Sequence, residues 1–412
     1  MPVFTSSIEL SDDYPSIQPS LNLNFAGSRA LDPHITFARD SVGTYVDKNG
    51  LIKTAGEDEA RFDHDPETLE SLGLLIEESR TNKRTYSAAP NASNNYRIYG
   101  TPTYNTTDVV APDGTTTATK IVGDGIVPAG FDNYSNNYGG DQGIVQTYSV
   151  YVKNINATSV IIRIITGIEY TFTFATETGV LTGGSNDGGG FQKLPNGWYR
   201  VWLTDSKPNG YWYHQVMIDA AAVTSNSMYF WGVQLEVGSF PTSYIPTSAA
   251  AVTRAVDTAT ITGTSFSDFY NQNEGTLVSF SRTLGVDLYQ TATFEFTSSN
   301  VNAELIGLEV TNSYNRFYVY GGGASASNYN YSVVSAGTLT KNALAYKLND
   351  VAGVRDGGTV FNDTSAGIPI PNIDRATIGY NFGYGNQKQQ HIDRLLYYPK
   401  RLTDAQLQLL TS

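Results

Sequence analysis

The sequence predicts an all-β protein of several domains, and three observations carry that expectation. Runs with strand-type alternation, rich in β-branched and aromatic residues, follow one another at short intervals. Turns rich in Gly, Asn, Pro and Ser separate them, and one segment, at the C-terminus, carries a full helix signature. The composition agrees: 39 Gly, 28 Tyr and 18 Phe against 3 Met is the balance of short strands joined by many loops. Strands with no helices between them favour sandwiches or jelly rolls over a parallel sheet. The lack of a fixed-period repeat argues against a solenoid or propeller.

At 412 residues the chain has room for about three domains. The first block, 1–82, reads as a small N-terminal module. In it SLNLNF places Leu21, Leu23 and Phe25 on one face of a strand. TYVDKNGLIKT predicts a hairpin turning at Asp47–Gly50, because Asn-Gly tolerates positive φ. The apolar run from Leu72 to Ile76, with its acidic end, fits a strand or a helix. The second block, 83–246, offers strands at 115–122, 143–153, 159–166, 169–176, 197–204, 211–219 and 228–236. From Met228 to Asp257 the pattern is a buried strand, a turn, an extended connector and the start of a new module.

The third block, 247–412, repeats this texture in FYVYGGG, NYNYSVV, LAYKLND and RATIGYNFG. It closes with RLLYYPKRLTDAQLQLLTS, which predicts a helix. Thr403 and Gln406 make a capping box, and Asp404 favours the positive helix end. Leu402 and Leu407 can staple the first turn, with Leu410 continuing that face onto a sheet.

Charge and cysteine count narrow the function. A formal charge of -13 and a pI near 4.7 argue against nucleic-acid binding and repel anionic membranes. The opening MPVFTSSIELSDDYPS lacks a signal peptide's basic and apolar regions, and no run approaches the roughly 18 apolar residues of a span. No membrane insertion is therefore expected. Without cysteine there are neither disulfides nor thiolate metal sites.

Several segments resemble one bacteriophage pattern. LDPHITFARDSVGTYVDKNGLIKTA and RFDHDPETLESLGLLIEESRTN, spanning Leu31 to Asn82, resemble the opening module of phage head-fibre, head-spike and related tail proteins. APDGTTTATKI, YSVYVK, LPNGWYRV and FWGVQLEVGSFPTSYIPT resemble the carbohydrate-binding-like jelly roll that follows it. EGTLVSFSR and IDRLLYYPKRLTDAQLQ look like a concanavalin-A-like or laminin-G-like sandwich. The resemblance implies a homo-oligomeric protein on the virion surface, with phage capsid or tail proteins and a host cell-surface glycan as partners. Trimers are the habit of phage fibres, though no heptad run supports one here.

Aromatic residues are the candidate glycan contacts, since flat rings stack on sugars. Tyr211, Trp212 and Tyr213 place aromatics on both faces of a strand, which cannot all be buried. Tyr318, Tyr320, Tyr329 and Tyr331 fall in the run FYVYGGGASASNYNYS, read as an adaptable loop surface like NYSNNYGGDQG at 133–143. In GWYRVWLT, Trp198, Arg200 and Trp202 share a face that is either core or platform; Trp231 reads as core.

Catalysis finds less support. Glycosidases need two carboxylates about 5–9 Å apart across a sugar. The Glu-x-Asp-x-Glu strand of lectin-like hydrolases is absent, and Glu77 and Glu78 would point to opposite faces of a strand. His34, His64, His214 and His391 lack metal spacing, and the Gly188–Gly190 and Gly321–Gly323 runs read as turns. No catalytic residue is assigned. A calcium ion held by loop carboxylates and carbonyls fits such sandwiches, with Asp132, Asp141, Asp187 and Asp205 as loop candidates and nothing in the sequence selecting among them.

Overall fold

The structure, a computed structural model, describes residues 15–412 apart from 95, 133–143, 165–167, 183–187, 207–213, 285–290, 300–303, 311–313, 322–323, 333, 366–370 and 382–385. The fold is all-β with antiparallel sheets and a short C-terminal helix. Two compact units form. A central unit comprises Arg39–Ser71 and Ser79–Val256; a C-terminal unit comprises Asp257–Ser412 with Leu72–Glu78 and the chain up to Ala38. The 1–82 block, expected as a module of its own, is thus shared between them. The reason is physical: a lone two-stranded hairpin is marginal in water and needs a larger apolar surface to cover.

The central unit is a sandwich of two six-stranded sheets. The first runs in the order Gly188–Lys193, Trp198–Ser206, Val145–Asn154, Thr224–Val237, Thr119–Asp124 and Thr101–Thr103. The second runs Thr178–Thr182, Ile168–Thr173, Ser159–Ile164, His214–Ile218, Gly130–Asp132 and Arg97–Tyr99. Between them Phe131, Tyr148, Val150, Ile162, Phe172, Val201, Val216 and Phe230 are buried in one core. The strand alternation read from sequence supplies this layer directly.

The first sheet is apolar on its other face too. There Trp198, Trp231, Tyr151 and Tyr244 pack with Ile52 of the Gly43–Val46/Ile52–Ala55 hairpin. The hairpin turns at Asp47–Gly50 as expected, with Gly50 at φ 76° and Asp47 accepting from the amides of Asn49 and Leu51. The connector after Val237 crosses the same face. Thr242 donates its amide and hydroxyl to Glu236 (3.0 and 2.6 Å), and the Ile245 amide donates to Gln234 Oε1 (2.7 Å). Arg200 donates to the Thr242 carbonyl (2.6 Å), and Arg61 and Arg254 both reach Ser243 Oγ (3.0 and 2.9 Å).

The Gly188–Gly190 run is a strand rather than a turn. A Cβ on Gly189 would meet the Tyr170 ring at 2.4 Å and one on Gly190 the Trp202 ring at 2.4 Å. Glycine here lets two aromatic rings lie against the backbone.

The C-terminal unit has a seven-stranded sheet in the order Thr36–Ala38, Thr258–Thr262, Arg375–Ile378, Thr291–Thr297, Leu305–Val310, Tyr314–Gly321 and Ala324–Ser332. Its second sheet contains Phe361–Asp363, Asp350–Arg355, Thr340–Lys347, Glu274–Thr283 and Gln390–Tyr398 in order. Gln390–Tyr398 then pairs with both Leu21–Asn24 and Leu74–Ile76, so the ambiguous apolar run is a strand. Phe296 and Tyr397, one from each sheet, meet at 5.1 Å between ring centres. The opposite face of Gln390–Tyr398 carries Leu396 and Tyr398 beneath the helix Asp404–Thr411, where Leu402 and Leu407 are buried. The Thr403–Gln406 capping box forms as predicted, with amide bonds of 3.0 and 3.3 Å.

Two costs follow. Trp231→Ala should destabilise the central unit by about 3–5 kcal/mol. All four Trp belong to that unit, so tryptophan fluorescence in a urea titration reads it selectively. Thr403→Ala should cost about 1 kcal/mol, read by circular dichroism.

Candidate functional site

Strand pairing builds one unbroken polar row across the second sheet of the central unit. Arg97 lies opposite Asp132, Asp132 opposite Gln215, Gln215 opposite Arg163, Arg163 opposite Glu169, and Glu169 opposite Thr182. Their neighbours along each strand, Ile98, Phe131, Val216, Ile162 and Tyr170, face the core. Successive side chains on a strand point to opposite faces, so the polar row occupies the outer face.

The row has a closed end and an open end. At the closed end, Arg97 donates through Nε and Nη2 to Asp132 Oδ2 (3.1 and 2.7 Å), and the Tyr99 hydroxyl donates to the same oxygen (2.6 Å). Arg97 Nε also reaches Asp132 Oδ1 at 3.2 Å. Asp132 is fully buried, while the Arg97 side chain is half exposed. Toward the other end, Arg163 Nε donates to Gln215 Oε1 (2.7 Å), which fixes the plane of the guanidinium. Arg163 and Glu169 are half-buried and form no ion pair with each other. The guanidinium amino groups and the Glu169 carboxylate therefore stand side by side as donor and acceptor.

This row was not among the sequence candidates. Alternation in SVIIRIIT does put Arg163 opposite the core residues, but only cross-strand register shows that five such residues align. Of the candidates themselves, Tyr211, Trp212 and Tyr213 lie outside the described residues; they immediately precede the strand that begins at His214. Trp198 and Trp231 are core, their indole N–H groups donating to Val110 O (2.9 Å) and Thr117 Oγ1 (3.0 Å). Arg200 is buried under the connector rather than presented to a ligand.

The run 317–332 is a hairpin of paired strands, not a loop, and its tyrosines divide between two faces. Tyr318 is buried; its hydroxyl donates to Glu295, and the neighbouring Arg316 pairs with Glu309 at 2.5 Å. Burial, then the carboxylates of Glu295 and Glu309, push its hydroxyl well above the ordinary tyrosine range. Tyr318 is thus no ligand platform, and Tyr320 leans on it at 5.7 Å while half-buried. Tyr329 and Tyr331 face the other way. Tyr329 stacks flat on Phe361 at 4.4 Å and is 39% exposed. Tyr331 is half-buried and donates to the Gly353 carbonyl at 2.8 Å. Of the described tyrosine candidates, Tyr329 has the most exposed ring.

Among the described residues, no group of three or more His, Asp or Glu side chains converges as a metal site. Asp132 is a calcium candidate whose oxygens are taken by Arg97 and Tyr99; Asp205 is buried in the Trp198–Ser206 strand, and Asp141 and Asp187 lie outside the described residues. The carboxylates of 57–65 hold turns: Asp58 accepts from the Arg39 amide, Glu59 from Gly56 and Asp65 from Glu67 and Thr68.

Tyr318→Phe and Tyr331→Phe each remove one hydroxyl, with different expected costs. Loss at Tyr318 strips a donor from a buried carboxylate and should cost about 1–3 kcal/mol. Loss at the half-exposed Tyr331 should cost about 0.5–1.5 kcal/mol. Equal shifts in urea denaturation would contradict this ordering.

Neither a protein-family model nor a curated protein matches the chain. Among solved structures, the chain is similar to the CBM40 domain of the Ruminococcus gnavus IT-sialidase bound to α2,3-sialyllactose. That match has 15% identity and a TM-score of 0.31, over 34% of this chain and 84% of the other. It is also similar to the binding domain of botulinum neurotoxin DC in complex with rat synaptotagmin II (11% identity, TM-score 0.31, 38% and 39% of the two chains). Domain 4 of AbnA, a GH43 extracellular arabinanase from Geobacillus stearothermophilus in complex with arabinotriose, gives 15% identity and a TM-score of 0.28 over 42% and 84%. Likenesses of this depth carry no argument about function.

Proposed function

We propose that this is a non-enzymatic surface protein of a phage virion, a head fibre, decoration protein or tail-fibre adhesin, that contacts host-surface glycans through its sandwiches. The observation that carries glycan contact is the aligned outer row, whose half-buried Arg163–Glu169 end holds a planar donor and an acceptor at fixed spacing on a rigid sheet. Sugars are recognised by such convergent donors and acceptors. Support for a phage particle comes from the sequence resemblance over Leu31–Asn82 and through the connector after Trp231. Docking is assigned to the N-terminal part of the chain, and copies assemble as a homo-oligomer.

The rival is a structural decoration or cement protein that touches only capsid neighbours; a glycan depolymerase is a further alternative. Electron microscopy of virions labelled with antibody against the chain separates capsid from tail placement, and no label on any particle would sink the virion reading. A glycan array probed with the full-length protein separates adhesin from cement. Sugar binding supports the adhesin; no sugar bound, with fragile particles when the protein is missing, supports cement. Shortening of capsular or lipopolysaccharide polymer by the purified protein would establish a depolymerase. Under the adhesin reading, intact particles should bind a glycan-coated surface about 10²–10⁴ times more tightly than the isolated protein.

A further inference from the structure

Resting on the glycan-binding reading, we infer that the open end of the outer row takes a neutral sugar, with adjacent hydroxyls bridging Arg163 and Glu169. The charges along the row alternate and cancel: Arg97 with Asp132, then Arg163 with Glu169. The first pair is closed on itself through three donors, so it offers the ligand no carboxylate. The second pair is open. Among the described residues Arg163 spends only Nε, on Gln215, and its two amino nitrogens remain as donors held in plane. Glu169 is an acceptor with no hydrogen bond or ion pair among the described residues.

A hydroxyl both donates and accepts, so two neighbouring hydroxyls complement this pair, one taking from Arg163 and the next giving to Glu169. A sugar carboxylate fits worse. It would satisfy Arg163 but bring its charge beside Glu169, directly across the strand pair, where like charges repel. Directly opposed side chains of an antiparallel pair sit about 4.5–5.5 Å apart at Cβ, a spacing that one ring can bridge. The row continues to Thr182, and the edge strand Thr178–Thr182 is exposed along its length. A longer glycan thus leaves the site over Thr182, away from the closed Arg97–Asp132 end.

Because Gln215 pre-sets the guanidinium, little side-chain freedom is lost on binding, and the site's specificity rests on polarity rather than on burial. Neither Arg163 nor Glu169 is needed by the core. Both can therefore be changed with the fold as a control.

The test uses full-length protein and saturation-transfer NMR with methyl β-galactoside and methyl α-glucoside against galacturonate and glucuronate. Wild type should bind a neutral glycoside at least tenfold more tightly than its uronate. Arg163→Ala should weaken neutral binding at least tenfold. Glu169→Gln keeps the shape, removes the charge, and should narrow or reverse the preference against uronates. Unchanged thermal melting verifies each fold; if Arg163→Ala does not fold, Glu169→Gln alone decides. Uronates bound as tightly as neutral sugars by wild type, or neutral binding untouched by the folded variants, would overturn this site while leaving glycan binding elsewhere on the chain. A glycan array on which the full chain binds no sugar would overturn the glycan-binding reading itself.

Discussion

The central unit depends on how it buries an extended connector. Residues 238–251 belong to no strand. Backbone bonds tie Gly238 to Val145, Thr247 to Ser87 and Ser248 to Tyr86. Between these ends the connector crosses an apolar sheet face, where its backbone groups need side-chain partners. Gln234 and Glu236 supply acceptors from the sheet below, and Arg200 supplies a donor. Arg61 and Arg254 close on Ser243 from the flanking segments. Charges taken out of water cost several kcal/mol each unless geometry repays them. Here each of these side chains bonds the connector, while Arg61 also donates to Thr44 O and Arg200 to Ser149 Oγ. That constraint explains the domain boundary as well. The Gly43–Ala55 hairpin adds Ile52 and the Thr44 hydroxyl, which donates to Tyr244 O at 2.5 Å, so it belongs to the sandwich it helps to cover.

The consequence for function is a division of labour between faces. The first sheet of the central unit is apolar on both sides and sealed on both, which removes Trp198, Trp231 and Arg200 from any ligand. The second sheet is apolar on its inner face, and on its outer face Ile161 and Met217 are buried beside polar residues. Its outer face carries the polar row, and with it the unit's regularly spaced hydrogen-bonding groups.

How much of this was legible in the sequence varied with the range of the interaction. Local signals worked. The Asn49-Gly50 turn and the Thr403–Gln406 box depend on residues a few positions apart and formed where the pattern placed them. The strands expected at 143–153, 159–166, 169–176, 197–204, 211–219 and 228–236 formed close to those bounds, with Thr178–Thr182 and Gly188–Lys193 unforeseen. Signals that depend on distant partners did not. Gly188–Gly190 reads as a turn until the rings of Tyr170 and Trp202 are seen lying against it. The tyrosines of 317–332 read as one surface, but pairing of Tyr314–Gly321 with Leu305–Val310 turns Tyr318 toward Glu295, and pairing of Ala324–Ser332 with Tyr314–Gly321 turns Tyr331 toward Gly353. A two-residue period tells which side chains share a face of one strand. It does not tell which face is covered.

The same limit explains why the polar row was invisible. Arg97, Asp132, Gln215, Arg163 and Glu169 are ordinary residues in five separate segments, and nothing local marks them as a set. Register alone aligns them, and register is fixed by the core residues beside them, Ile98, Phe131, Val216, Ile162 and Tyr170. A slip of one residue in any strand would carry its polar side chain into the core, a penalty that pins the alignment far more strongly than the polar contacts could. The apolar face thus sets the geometry of the polar one, and the open Arg163–Glu169 pair inherits its precision from a core it never touches.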